Sequence, residues 1–259
     1  VNTRHPEVRP VDWTRFEAVL FDLDGVVTPT AEVHMRAWAE MFNEFLSAYG
    51  ADPAVDTAPY TDADYFAHVD GKPRYDGVRD FLVSRGIELP EGTSDDAPDQ
   101  VTVRGLGNRK NDAFNVVLER DGVVAYPGSV ALLDHLRDLG LPLAVVSSSA
   151  NAPAVLAAAG LADRFETVVD GRVAHREGLP GKPAPDTFVH AATLLGTTPA
   201  LSVVLEDAVS GVRAGVAGGF GLVIGVDRGA GDALRAAGAD PVVADLAVLV
   251  PGAETGAVR

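Results

Sequence analysis

The sequence predicts an α/β protein in which a parallel sheet is interrupted by a long helical insertion, and three observations carry that reading. Short apolar runs recur at Ala18 to Phe21, Leu141 to Val146, Val203 to Leu205, Leu222 to Val226 and Val242 to Val243. Their richness in Val, Leu and Ile marks strands buried on both faces. Between them lie stretches with helical spacing: Val130, Leu133, Leu136 and Leu139, then Ala154 to Ala159, Phe188 to Leu195 and Val209 to Val216. Strands alternating with helices imply crossover connections and a parallel, Rossmann-like core. From Ala31 to Asp121 the alternation stops, and helical patterns occur without a buried strand.

In chain order, Val1 to Pro10 is polar, carries Arg4, His5 and Arg9, and lacks the apolar stretch of a secretory signal. Residues 11–30 and 122–250 are expected to form the catalytic core, and 31–121 an inserted helical cap. Within the insertion, Met35, Trp38, Phe42, Phe45 and Tyr49 fall three and four residues apart, which puts one apolar stripe on a helix. Such a stripe must pack against other helices, so a small bundle is the simplest cap. The segment from Glu88 to Gln100 is acidic, holds Pro90, Gly92 and Pro98, and reads as an exposed connector without function. Residues 251–259 lose both apolar periodicity and charge pattern and are expected to be a disordered tail.

Composition removes several functions. The chain has 259 residues, a formal net charge of −16 and no cysteine, so disulfides, thiolate catalysis and Cys-based zinc sites are excluded. No apolar run approaches membrane-spanning length. A strongly acidic chain without a Lys/Arg-rich patch repels nucleic acid. A soluble cytoplasmic monomer acting on a small molecule is the resulting expectation. Any phosphate site must then be built locally from a metal, backbone amides and one or two cations.

Three apolar runs end alike: Ala-Val-Leu-Phe stops at Asp22, Ala-Val-Val at Ser147 and Val-Val-Leu at Glu206-Asp207. Carboxyl ends of parallel strands share one edge, where ligands bind in this architecture, so these residues should converge. Asp22, Asp24 and Asp207 would then crowd together, and their mutual repulsion calls for a hard divalent cation. Mg2+ fits best, because it binds through one or two carboxylates plus substrate phosphate. Lys182, one of three lysines with Lys72 and Lys110, sits in Gly-Lys-Pro-Ala-Pro-Asp186. Alone it would pass for a surface lysine, with Asp186 capping the next helix; beside the carboxylates it reads as the cation that neutralises a phosphoryl group. The Walker loop, the dinucleotide fingerprint, His-Glu-x-x-His and Gly-x-Ser-x-Gly are all absent.

Asp22-Leu-Asp24-Gly25-Val26, the Ser147 strand end, Lys182-Pro183 and Glu206-Asp207 resemble, in order, the four motifs of the haloacid dehalogenase superfamily of phosphotransferases. The resemblance implies Asp22 as the nucleophile on phosphorus and Asp24 as general acid/base. It implies that Ser147 and Lys182 hold the phosphate, and that Mg2+ is held by Asp22, the Asp24 backbone carbonyl, Glu206 and Asp207. An aspartyl-phosphate would split a hard phosphoryl transfer into two steps.

Within that superfamily the chain is most similar to the beta-phosphoglucomutase subgroup. Asp24 to Trp38 resembles the subgroup's first motif, with Thr30 and His34 at matching positions. Arg109-Lys110-Asn111-Asp112 resembles its cap lysine motif, Gly71-Lys-Pro-Arg74 its substrate-binding loop, and Ser147-Ser148-Ser149-Ala-Asn151 its phosphate loop. The resemblance implies that Thr30, His34, Arg74, Lys110, Ser148, Ser149 and Asn151 bind a small phosphorylated sugar. It also implies conversion of beta-glucose 1-phosphate to glucose 6-phosphate through a bisphosphate. The chain departs at Pro29, where the subgroup usually has aspartate, at Ala150, where lysine is common, and in the longer segment 88–100. Taken alone, His34 would pack, Thr30 would cap its helix, Arg74 would pair with Asp76, and Lys110 with Asp112. A phosphatase using the same core residues is the alternative, and a phosphonate hydrolase using Lys72 ranks below both.

Overall fold

In the computed structural model, which describes residues 11–49 and 55–252, six parallel strands form one sheet in the order β3-β2-β1-β4-β5-β6. The strands are β1 (Ala18–Phe21), β2 (Leu143–Val146), β3 (Thr167–Val169), β4 (Ser202–Glu206), β5 (Leu222–Val226) and β6 (Val242–Val243). β1 lies between β2 and β4, with Val19 opposite Leu143 on one side and Val203 on the other. All four of its side chains are buried. The connections from β1 run outward through β2 to β3, and the chain then returns to the other side of β1. This reversal opens a crevice at the carboxyl ends of β1 and β4.

Two sequence expectations need correction. The apolar run at 141 starts its strand only at Leu143; Pro142 has no N–H for the ladder and offers only its carbonyl, to Val19. β3 has no counterpart in the sequence reading, because it is a three-residue edge strand in which only Val169 is buried.

The chain divides into two compact units, Val1–Thr28 with Ala125–Arg259, and Pro29–Val124. In the first, α5 (Pro127–Asp138), α6 (Ala152–Ala158), α7 (Gly171–Arg176), α8 (Asp186–Leu194), α9 (Val209–Ala217) and α10 (Gly231–Ala237) alternate with the strands after β1. Leu20, Val146, Phe188, Ala191, Val204 and Val212 share one buried cluster that joins sheet to helices. Leu139, expected in the apolar stripe of α5, is its C-cap and is 47% exposed. The helix stops there because Gly140 takes φ +73° and the Leu141 amide closes back on the Leu136 carbonyl. The N-terminal reading falls on residues 1–10, outside the described residues, as does the tail reading from 253 onward.

The second unit holds α1 (Thr30–Ala48), α2 (Asp62–Asp64) running into a π turn (Tyr65–Val69), α3 (Arg74–Ser84) and α4 (Val103–Asp121). No strand occurs among its described residues. Trp38, Phe42 and Phe45 of the predicted stripe are buried with Met41 and with Phe81, Val78 and Leu106 from the neighbouring helices, while Met35 and Tyr49 at its ends are only partly buried. The Phe42 ring stands 4.1 Å from Phe81 and 5.3 Å from Trp38, centre to centre. Thr61 and Asp64 form a capping box that starts α2. Segment 88–100 is irregular and largely exposed. Among the described residues no helix is long and apolar enough to cross a membrane.

Candidate active site

The polar groups that end β1, β2 and β4 come together in the first unit. Asp22 follows β1 directly, and its N–H donates to the Leu205 carbonyl of β4 at 2.9 Å, which carries the sheet register one residue further. Lys182 is 3% exposed and is held from three sides. Its Nζ donates to Asp22 Oδ1 at 2.5 Å, Glu206 Oε2 at 2.7 Å and the Val146 carbonyl at 3.1 Å. The lysine thus ties together the carboxyl ends of β1, β2 and β4.

Glu206 has little capacity left. Its Oε2 accepts from Lys182, and its Oε1 accepts from the N–H groups of Asp207 and Ala208 at 3.1 and 3.0 Å. The side chain curls back over α9, and Gly211 makes this possible, since a Cβ there would stand 1.8 Å from Glu206 Oε2. Glu206 therefore orients Lys182 and the loop that carries Asp207, which is half-buried at the head of that loop.

Charge decides what the site lacks. Burial works to lower the Lys182 ammonium, but the Asp22 and Glu206 carboxylates outweigh it and raise its pKa. Burial, reinforced by the Glu206 carboxylate, pushes Asp22 well above the usual carboxylate range, with Lys182 pulling the other way. One cation balances one of two buried carboxylates, so Asp22 is a surplus negative charge. Ligand oxygens of Asp22, Glu206 and Asp207 lie within 4.8 Å of one another. This all-oxygen, surplus-negative cluster fits a hard divalent cation.

Asp24 belongs to a tight loop. The Gly25 N–H donates to the Thr28 carbonyl at 2.7 Å, and the Val27 and Thr28 N–H groups donate to the Leu23 carbonyl at 2.9 and 3.0 Å. The Asp24 side chain is not part of the three-carboxylate cluster; its Oδ2 accepts from Ser147 Oγ at 3.5 Å, a marginal contact. Ser147 Oγ also accepts the Ser149 N–H at 3.1 Å, and Ser149 Oγ accepts the Asn151 N–H at 3.2 Å. The run from Ser147 to Asn151 is thus a folded turn opening α6, with Ser148 half-buried inside it.

The remaining predicted residues belong to the helical unit. Thr30 opens α1 and is buried, with Pro29 rather than Thr30 at the N-cap position. Lys110, 4% exposed, does not answer Asp112 in solvent: it is bonded to His34 Nδ1 and lies 5.1 and 5.2 Å from the ring centres of Trp38 and Phe114. His34 stacks on Phe114 at 4.0 Å. A buried lysine held on an imidazole between two aromatic faces is an expensive arrangement for packing alone. Arg74 begins α3, and Asp76, its expected partner, pairs instead with Arg79 at 2.7 Å. Lys72 is paired with Asp80 at 2.7 Å, which removes its appeal as a nucleophile.

Sequence reasoning missed Arg228. Its Nε donates to the Gly25 carbonyl at 2.7 Å, one terminal nitrogen donates to the Ala244 carbonyl at 3.2 Å, and its guanidinium lies 3.9 Å from the Tyr126 ring centre. It braces the loop after β1 from just past the carboxyl end of β5, two strands away in the sheet. A lone arginine more than 200 positions from that loop carries no local signal.

Fold and site together define an enzyme of the phosphotransferase type. The chain belongs to the haloacid dehalogenase-like hydrolase family, whose model matches residues 16–219. It is 49% identical over 243 residues to a beta-phosphoglucomutase of Mycobacterium bovis, covering 91% of this chain and 92% of that one. It is 30% identical over 207 residues to hexitol phosphatase A of Escherichia coli, covering 79% and 81%. A beta-phosphoglucomutase structure from Clostridium difficile superposes with a TM-score of 0.71 at 23% identity, covering 90% of this chain and 93% of that one, and shows the shared fold.

Proposed function

We propose that this chain is a Mg2+-dependent phosphosugar mutase that converts beta-glucose 1-phosphate to glucose 6-phosphate through a phosphoryl group carried on Asp22 and a sugar bisphosphate. The observation that carries the mutase reading is the buried Lys110 held on His34 in a chain similar to a beta-phosphoglucomutase along nearly its whole length. A hydrolase needs only the core groups; a mutase also needs residues that hold the sugar phosphate while the phosphoryl group stays on the enzyme.

In this reading Asp22 attacks phosphorus as the ionised carboxylate. Asp24 takes the proton from the sugar hydroxyl that attacks the aspartyl-phosphate, and gives it to the sugar oxygen that leaves when Asp22 takes the phosphoryl group from the other end of the bisphosphate. Lys182 and Ser147 neutralise and hold the phosphoryl oxygens, with the turn Ser148, Ser149 and Asn151 beside them. Glu206 keeps Lys182 charged and aimed. Asp22, the Asp24 carbonyl and Asp207 would hold Mg2+, with Glu206 behind them. When bound, Mg2+ supplies positive charge against the phosphoryl oxygens and the surplus carboxylate. Thr30, His34, Arg74 and Lys110 select the sugar phosphate. As an ammonium Lys110 can only donate, which makes His34 Nδ1 the acceptor and leaves the ring hydrogen on Nε2.

The second reading is a sugar-phosphate phosphatase, favoured by the similarity to hexitol phosphatase A. The two are separated by following glucose 6-phosphate and free phosphate in parallel from beta-glucose 1-phosphate, Mg2+ and catalytic glucose 1,6-bisphosphate. Glucose 6-phosphate without matching phosphate is the expected result. Stoichiometric phosphate release would establish the phosphatase instead.

A further inference from the structure

Residues 88–102 form neither helix nor strand, and the sequence assigns them no role. Their backbone is nevertheless fastened to the first turns of α4. The Val103 and Arg104 N–H groups donate to the carbonyls of Pro90 and Glu91 at 3.0 and 3.1 Å. The segment thereby satisfies two of the amides that a helix start leaves open. Thr102 Oγ1 accepts the Gly105 N–H at 2.9 Å and donates to Asp96 Oδ2 at 2.6 Å. Gly105 permits this close seat, since a Cβ there would stand 2.2 Å from the Gln100 carbonyl oxygen.

From α4 the connection continues to α3. Asn108 donates through Nδ2 to the carbonyls of Ser94 and Asp96 at 3.1 and 2.9 Å, and its Oδ1 accepts the Tyr75 hydroxyl at 2.8 Å. Two carbonyls on one end of the amide require the nitrogen there, so the orientation is self-consistent. Arg104 lies 4.2 Å from the Tyr75 ring centre while its Nε donates to Glu91 Oε1 at 3.1 Å. Arg79 of α3 grips both Glu91 oxygens at 3.0 and 3.1 Å. Gly107 completes the seat, for a Cβ there would fall 2.7 Å from the Tyr75 ring and 3.3 Å from Arg74 Cδ. Tyr75 is thus held at its hydroxyl and its face by groups tied to the segment, with Gly107 of α4 against its edge, and it is the residue next to Arg74. Asn108 precedes Lys110 by two positions on α4.

We propose that residues 88–102 are a strap that sets the start of α3, with Arg74, against the turn of α4 that carries Lys110, and thereby sets the affinity for the sugar phosphate. Asn108 and Tyr75 are its positioning residues. The proposal rests on the mutase reading, in which Arg74 and Lys110 serve the substrate.

The test uses the full chain with Mg2+ and a priming bisphosphate. KM and kcat for beta-glucose 1-phosphate are compared with hydrolysis of p-nitrophenyl phosphate, an aryl phosphate without a sugar to be selected. Asn108→Leu removes three hydrogen bonds at nearly constant volume, and Tyr75→Phe removes one and keeps the ring. The expected result is a KM about tenfold higher in Asn108→Leu and about threefold higher in Tyr75→Phe, with kcat and aryl phosphate hydrolysis within about twofold of wild type. An unchanged KM in Tyr75→Phe and in folded Asn108→Leu would overturn the strap, as would an equal loss on both substrates, which marks a structural role only. Wild-type protein that hydrolyses the aryl phosphate but does not convert the sugar phosphate would overturn the mutase reading before any variant is made, and the strap's assigned role with it.

Discussion

Gly25 and Asp207 occupy one space: a Cβ at Gly25 would stand 1.8 Å from Asp207 Oδ2, and Gly25 already holds φ +82°. The loop after β1 can therefore pass the end of β4 only without a side chain at this position. The same device recurs at Gly211, whose missing side chain admits the Glu206 carboxylate. Glu206 at the end of β4 and Asp207 just after it are each seated against a glycine, one from α9 and one from the loop after β1.

Gly25→Ala should displace the Asp207 carboxylate and add left-handed strain of about 1–2 kcal/mol. The Mg2+ concentration for half-maximal activity is expected to rise by about tenfold or more, while the protein stays folded. A Mg2+ titration of activity, with thermal melting as the folding control, checks this. An unchanged Mg2+ requirement would show that Asp207 is not a ligand.

Asp22→Asn should abolish turnover yet stabilise the metal-free protein at neutral pH. The raised pKa of Asp22 means that its contribution to stability is fully present below the unfolded carboxylate value and is lost as pH rises through the folded one. Wild-type protein in chelator is therefore expected to melt lower as pH climbs above about 4, and the asparagine variant to lose much of that dependence. At pH 7 its melting point should exceed wild type by roughly 2–4 °C, the shift for about 1 kcal/mol in a chain of this size. Identical pH profiles would contradict the surplus-charge account.

Lys182→Met should be severe in both respects. It leaves Asp22 and Glu206 buried together without their shared cation, and breaking a buried pair in this way costs about 3–5 kcal/mol. Urea unfolding of the metal-free variant measures the loss; a change under about 1 kcal/mol would mean that the pair is solvated.

How much of this was legible follows from what each residue leaves in the sequence. The ends of β1, β2 and β4 were readable because an apolar run stops abruptly at a polar group, and of those groups Asp22 and Glu206 bond Lys182, with the Val146 carbonyl just before Ser147 as its third partner. The stripe on α1 was readable because its period is local. β3 was not, being three residues long and half-exposed. Pairings depend on distance in the fold, so Asp76 was matched to Arg74 rather than Arg79, and Asp186 was expected as a cap where Pro185 holds that position. The bond between His34 and Lys110 spans 76 positions and left no trace in spacing. Segment 88–100 read as idle because its fastenings are mostly to carbonyls, which composition does not reveal.

In the helical unit, acid should loosen the start of α2. Burial works to raise the Asp64 carboxyl, but hydrogen bonds from Thr61 and the Arg85 guanidinium outweigh it and hold the pKa below the usual range. Its contribution to stability is thus present above the unfolded carboxylate value and lost as pH falls through the folded one. Thr61→Ala should cost about 1 kcal/mol by removing the cap. Hydrogen exchange across residues 61–69 is expected to speed up in that variant at neutral pH; unchanged protection would show that the cap is idle.

The central claim is that Asp22 carries the phosphoryl group and passes it to a sugar. Brief mixing with radiolabelled glucose 1,6-bisphosphate and Mg2+, followed by acid quench and peptide mapping, should place label on the peptide containing Asp22 and none on Asp22→Asn. A chase with unlabelled beta-glucose 1-phosphate should move that label into sugar bisphosphate faster than into free phosphate. Label that never appears on the protein, or that leaves only as free phosphate, would contradict the account.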